Sequence, residues 1–207
     1  MTNEALIIDL FEAADALANG DNRAMQRLLA PIKNRESYDG TPVLFYVAEN
    51  IQALEFLAAN GVDFLQKNSL GGNNLLHRVS LDSDDPVFEW VLAWYSSNNS
   101  VDAASDDGFT VLSTLLKFGR ADRAKRLIEC GASLSSVANN GLTPARQTVI
   151  CMEQEHDALE GLALLLSHGL TLGTAELEHM AHMARAINRH RLAKWIEDDL
   201  IPSAPAN

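Results

Sequence analysis

Metal binding and nucleophilic catalysis would fall first to the six histidines and two cysteines of this 207-residue chain. Glu178, His179 and His182 sit at i, i+1 and i+4, so Glu178 and His182 share a helix face. A zinc site needs three or four converging ligands. The His-x-x-His spacing supplies two, with no cysteine pair beside it and only His190 as a further candidate. A metal-dependent or enzymatic protein using Glu178, His179, His182 and His190 is therefore the alternative reading, and a polar helix surface the simpler one. Cys130 and Cys151 stand at apparent helix ends, without a histidine signature beside either. There is no Gly-x-Ser-x-Gly elbow. Ser69-Leu70-Gly71-Gly72-Asn73 lacks the Lys-Ser/Thr that would hold a nucleotide phosphate. The expectation is a protein without catalytic residues, metal or cofactor.

Charge and aromatic content point instead to recognition. Lys117, Arg120, Arg123, Lys125 and Arg126 form a basic run that reads as a solvated helix face around an inter-helix loop. Asp82, Asp84, Asp85 and Glu89 form an acidic run, continued by Asp102, Asp106 and Asp107. Asp84 and Asp85 suit the start of a helix at Pro86, where carboxylates favour the dipole. Helix starts account for one or two of these seven, and the rest read as a docking surface. Trp90 and Trp94 are i,i+4 neighbours beside Phe88 and Tyr95. That spacing suits core between repeats, but a Trp exposed beside the carboxylates would be a natural anchor for a partner.

Positioning such residues requires elements, and the elements recur. A glycine-centred turn leading into an apolar helix appears at Asp39–Pro42, Gly72–His77, Asp107–Leu112 and Asn140–Ala145, its glycines 32, 36 and 33 residues apart. Thr or Asn before the helix can cap its free N–H groups, and Pro suits the first turn. About twenty residues on, a second helix ends at Gly61, Gly131 and Gly169, where glycine supplies the left-handed residue. In the second repeat Ser100-Val101-Asp102 takes that place, without a glycine. Residues 80–86 and 150–157 read as insertions between helices. Each unit is a turn plus two short antiparallel helices that bury their apolar faces only by stacking on neighbours.

The period and the Thr-Pro-Leu-His-like helix start resemble the ankyrin-repeat family over about residues 38–172. Asn140–Ala145 and Asp107–Leu112 fit best, and His77 falls at the family's histidine, where a structural hydrogen bond between turns is expected. Thr41-Pro42 follows Gly40 directly, which leaves that repeat's register ambiguous by one residue. The expected fold is an all-α ankyrin-repeat solenoid of about four repeats plus helical caps, with short turns or hairpins between. Its parts would be an N-terminal cap (1–37), repeats at about 38–70, 71–105, 106–138 and 139–172, a C-terminal cap (173–200) and a flexible tail (201–207). No linker divides the chain. The resemblance implies protein binding through hairpin tips and inner helices. It adds Phe109, Asn140 and Leu142 to the candidate partner-binding residues Asp82, Asp84, Asp85, Glu89, Trp90, Asp106 and Asp107.

Composition narrows the partner. Hydrophobic residues make up 47% of the chain and the net charge is −12. Residues 1–115 carry 6 basic and 17 acidic side chains, residues 116–207 carry 10 and 11. An acidic surface repels phosphate backbones and suits a basic protein. Met1–Leu10 has no basic leader and no stretch approaches the roughly 20 apolar residues of a membrane helix, so a cytoplasmic protein is expected. Stand-alone, divergent bacterial proteins of the resembled family include neutralisers of toxins. The expected role is accordingly an immunity-type or regulatory protein that masks one basic, toxin-like protein. An intracellular scaffold joining two partners through the acidic and basic runs is the alternative.

Overall fold

The computed structural model describes residues 3–69 and 71–204. Among them twelve α-helices form and no β-strand does, two isolated bridges apart. The chain divides into two compact units, Met1–Asp107 and Gly108–Asn207.

The first unit contains α1 (Asn3–Ala18), α2 (Asn22–Leu29), α3 (Val43–Tyr46), α4 (Ile51–Ala59), α5 (Leu75–Asp82) and α6 (Asp85–Ser97). Helix α1 packs on α2 and α5 on α6, while α2 meets α4 and α3 meets α5 from one repeat to the next. Leu54, Leu57, Leu75, Leu76, Val91 and Tyr95 are fully buried between them. The second unit contains α7 (Val111–Lys117), α8 (Ala121–Glu129), α9 (Pro144–Val149), α10 (Glu155–Ser167), α11 (Thr174–Ala186) and α12 (His190–Trp195). Helices α7, α9 and α11 form one row and α8, α10 and α12 the other, around Leu112, Leu115, Leu127, Leu165 and Leu192. Gly161 lets α10 come close to the preceding helices: a Cβ there would lie 3.1 Å from both Leu116 and Thr148.

Short polar residues start the helices as their types dictate. Asn50, Asn74, Asp84, Thr110 and Thr143 each accept the backbone N–H three residues on. In the last three turns the cap lies two residues after the turn glycine, at Asn74, Thr110 and Thr143. The same count from Gly40 reaches Pro42, which settles the ambiguous register. Pro42 has no side chain to cap with, and α3 is the shortest helix, four residues long.

Two expectations change. Residues 80–86 are not an insertion, because α5 runs to Asp82 and α6 starts at Asp85, leaving Ser83 and Asp84 between them. Where the second repeat lacks its glycine, Asn99 takes the left-handed conformation (φ 52°), which a short amide side chain tolerates better than most. The end of the chain continues past α12 as a π-helical stretch, Ile196–Leu200, and one 3-10 turn, Ile201–Ser203. Of the expected tail, residues 205–207 lie outside the described residues.

Candidate functional site

The acidic residues fall at both ends of the α5/α6 pair. Asp82 closes α5 and is held by Arg78 at 2.6 Å. Asp84 caps α6 through the Val87 N–H at 3.1 Å, and Asp85 sits in that helix's first turn. Asp106 belongs to the opposite end. Its carboxylate lies over Gly72, so close that a Cβ at Gly72 would fall 2.0 Å from it, and it pairs with Lys67 at 2.9 Å. Gly72 directly precedes the turn into α5, and eight helical residues span about 12 Å. The carboxylates adjacent in sequence are therefore two groups on the first unit, Asp82/Asp84/Asp85 and Asp106/Asp107. Asp107 is exposed and Glu89 half-buried.

The tryptophans stack on the preceding repeat. Trp94 packs on Phe64 (centroids 4.8 Å apart, 26° between planes), Trp90 lies tilted at 6.1 Å from the same ring, and Tyr95 meets Trp94 edge-on at 5.3 Å. The Tyr95 hydroxyl donates to the Phe64 carbonyl. Burial raises the Tyr95 phenol well above its usual range, so it stays a neutral donor. Trp90 remains half-buried.

Phe109, Asn140 and Leu142 belong to the second unit. Asn140 is exposed and accepts the Leu142 N–H at 3.1 Å, which holds the turn before Thr143, while Phe109 and Leu142 are half-buried. In the basic run, Arg123 is buried (7% exposed), Arg126 pairs with Glu129, and Lys117 lies 5.9 Å from the Phe118 ring centroid. The run is thus divided between core and surface.

Residues picked for chemistry do not assemble. Among the described residues no group of three or more His, Cys, Asp or Glu side chains is placed to hold a metal ion. Glu178, His179, His182 and His190 are all exposed. His77 is buried at the start of α5, its Nδ1 2.9 Å from Asn74 Oδ1. Asn74 also donates to the Ala103 carbonyl at 3.0 Å, so it is the asparagine beside His77 that ties one turn to the next. Cys151 is buried, and that burial pushes its thiol up, away from the reactive thiolate.

Several residues with evident roles carry no signal in the sequence. Arg146 on α9 and Glu176 on α11 form a two-pronged ion pair, Nε to Oε1 at 2.7 Å and Nη2 to Oε2 at 2.5 Å. Arg189 donates to the carbonyls of Cys151, Glu153 and Gln154, and Glu155 accepts the N–H groups of Arg191 and Leu192. These lock the α9–α10 loop against the start of α12. Phe11, Tyr38 and Tyr46 are large apolar side chains left 73%, 92% and 51% exposed in the first unit. The one local sign for Tyr38 is its place at the tip of the first turn, ahead of Asp39-Gly40.

Compared with protein-family models the chain matches none, and no curated protein is similar enough to match. Solved structures do match. A crystal structure of an ankyrin repeat domain from Acinetobacter baumannii AYE superposes with a TM-score of 0.68 over 93% of this chain and 98% of that one, at 19% identity. This is the ankyrin-repeat fold. The ankyrin turns are the Gly40, Gly72, Gly108 and Gly141 segments, and their inner helices begin at the caps two residues later. A shared fold does not by itself fix a function, which lies in the residues that the fold presents. Among the described residues no helix is long and apolar enough to cross a membrane.

Proposed function

We propose that this chain binds and masks one cognate protein with a basic surface, in the manner of an immunity or regulatory protein, and that the first unit carries the contact. The supporting observation is the partition of charge. All but one unit of the net −12 belongs to residues 1–107, with 17 acidic and 6 basic side chains, while residues 108–207 are nearly balanced at 11 and 10. Such a field speeds encounter with a cationic partner and repels nucleic acid. The acidic ends of the α5/α6 pair and the half-buried Trp90 are its proposed contacts. A cytoplasmic setting suits two unpaired cysteines.

Affinity capture from the source cells tests this, comparing the natural chain with a variant carrying Asp84, Asp85, Asp106 and Asp107 as Asn. One stoichiometric basic partner, lost by the variant, supports the reading. Capture of no partner, or of a partner without basic character, sinks it. Co-expression with a toxic candidate tests the masking role: growth no better than with an empty vector removes it.

A further inference from the structure

An apolar groove in the first unit has no part in the contacts above. Helix α1 presents Leu6, Leu10, Phe11 and Ala14 as one stripe, and the Ser37–Asp39 turn and Tyr46 form the facing wall. The groove between them measures about 520 Å³, within the range of about 300–1,000 Å³ typical of binding sites. Its aromatic walls stand open: Phe11 is 73% and Tyr38 92% exposed. Such rings bury large areas at low conformational cost, and tyrosine is over-represented among residues that dominate binding energy.

The turn that carries Tyr38 is held by its own bonds. Gly40 N–H donates to the Ser37 carbonyl at 3.0 Å, and Ser37 N–H to the Thr41 carbonyl at 2.9 Å. The Ser37 hydroxyl and the Thr41 N–H both bond Asp39, which holds its carboxyl below the usual range and keeps it ionised. With these N–H groups satisfied, the turn offers side chains to a partner rather than a free strand edge.

On the other side of Phe11 the surface becomes acidic. A second depression, of about 510 Å³, shares the Phe11 ring and is lined by Glu12, Asp15 and Asp21. Asp21 caps α2 through the Ala24 N–H at 2.9 Å, which leaves Glu12 and Asp15 without such a task. Among the described residues no cationic side chain lines either depression. An apolar groove bordered by carboxylates calls for an occupant that is apolar on one face and cationic beside it.

We infer that this groove takes a short basic amphipathic helix of a partner protein, its apolar face between Phe11, Tyr38 and Tyr46 and its Lys or Arg side chains over Glu12, Asp15 and Asp39. This deepens the proposed function and rests on it. Charge argues against a second copy as occupant, since two first units would meet acid to acid.

The test uses the full chain and a fluorescent peptide of about 14 residues, Leu and Lys in helical i, i+3, i+4 spacing, read by anisotropy. The natural chain is expected to bind it, and a peptide with Glu in place of Lys is expected not to bind. Phe11→Ala with Tyr38→Ala should weaken binding at least about tenfold, and Glu12→Gln with Asp15→Asn about tenfold with a flatter salt dependence. The Asp84/Asp85/Asp106/Asp107 variant should lose less peptide affinity than the Glu12/Asp15 variant, which separates the groove from general attraction to an acidic protein. Both ring positions are exposed, and circular dichroism checks that the fold survives. No binding by the natural chain, equal binding by the ring variant, or equal loss in the Asp84 set overturns the inference. So does a dimer in sedimentation that the ring variant dissociates. If the cellular partner is captured equally with and without the ring changes, the groove falls while the binding function stands. If no partner is captured at all, it is the binding function that falls.

Discussion

Tyr95 shows how much one side chain of this chain can be asked to do. It fills the core between two repeats and donates to the Phe64 carbonyl while supporting the Trp94 ring. Tyr95→Phe keeps the ring and leaves that buried carbonyl without its donor, so it should cost about 1–2 kcal/mol in denaturant unfolding. Arg146 and Glu176 make a different kind of contribution, one that depends on pH. The bonds from Arg146 hold the Glu176 carboxyl below its ordinary value of 4.5. Its folded-state pKa is depressed, so the pair stabilises fully above pH 4.5 and the gain is lost as pH falls through the folded value. Glu176→Gln should therefore cost about 1 kcal/mol at neutral pH and progressively less in acid, read from urea midpoints at both ends. Neither residue stands out in the sequence. Arg146 and Glu176 are thirty residues apart, and only the stacking of α9 on α11 makes them neighbours.

The helices are largely legible in the sequence, because their starts and stops are written in local chemistry. Asn74, Thr110 and Thr143 each cap the helix after them, and the glycines between repeats mark the turns. The features that escape are those that require a substitution or a distance. Asn99 does a glycine's work, and a search for glycine passes over it. The run from Asp82 to Asp107 reads as one patch along the chain, yet α5 puts its ends on opposite sides of a helix pair. The Phe11–Tyr38–Tyr46 groove joins α1, a turn and α3, which nothing local connects. Cap chemistry also sets a contrast between elements. Asn74→Ala removes the cap of α5 and the bond to Ala103, and should cost about 1–2 kcal/mol. Thr41→Ala, next to a cap position held by Pro42, should cost less than about 0.5 kcal/mol. Thermal melts of the two variants measure this difference.

For the molecule as a whole the governing fact is that charge follows the division into units. Stopped-flow association with a basic partner should slow steeply with added salt for the natural chain. It should slow less for the variant with Asn at 84, 85, 106 and 107. That variant should fold as before, since Asn caps α6 nearly as well as Asp and the Lys67–Asp106 pair is exposed. The contact of Asp106 on Gly72 has a consequence for how such a chain changes over time. A glycine on one turn receives a residue from the next, Asp106 over Gly72 and likewise Asn139 over Gly108. Donor and recipient are thus separated by about one repeat, and each turn can play both parts. Unequal crossing-over that adds or drops a whole repeat carries a matched glycine and incoming side chain with it. The new junction is mechanically compatible from the start, and the copy number of repeats can drift while the exposed residues on each one diverge toward a new partner.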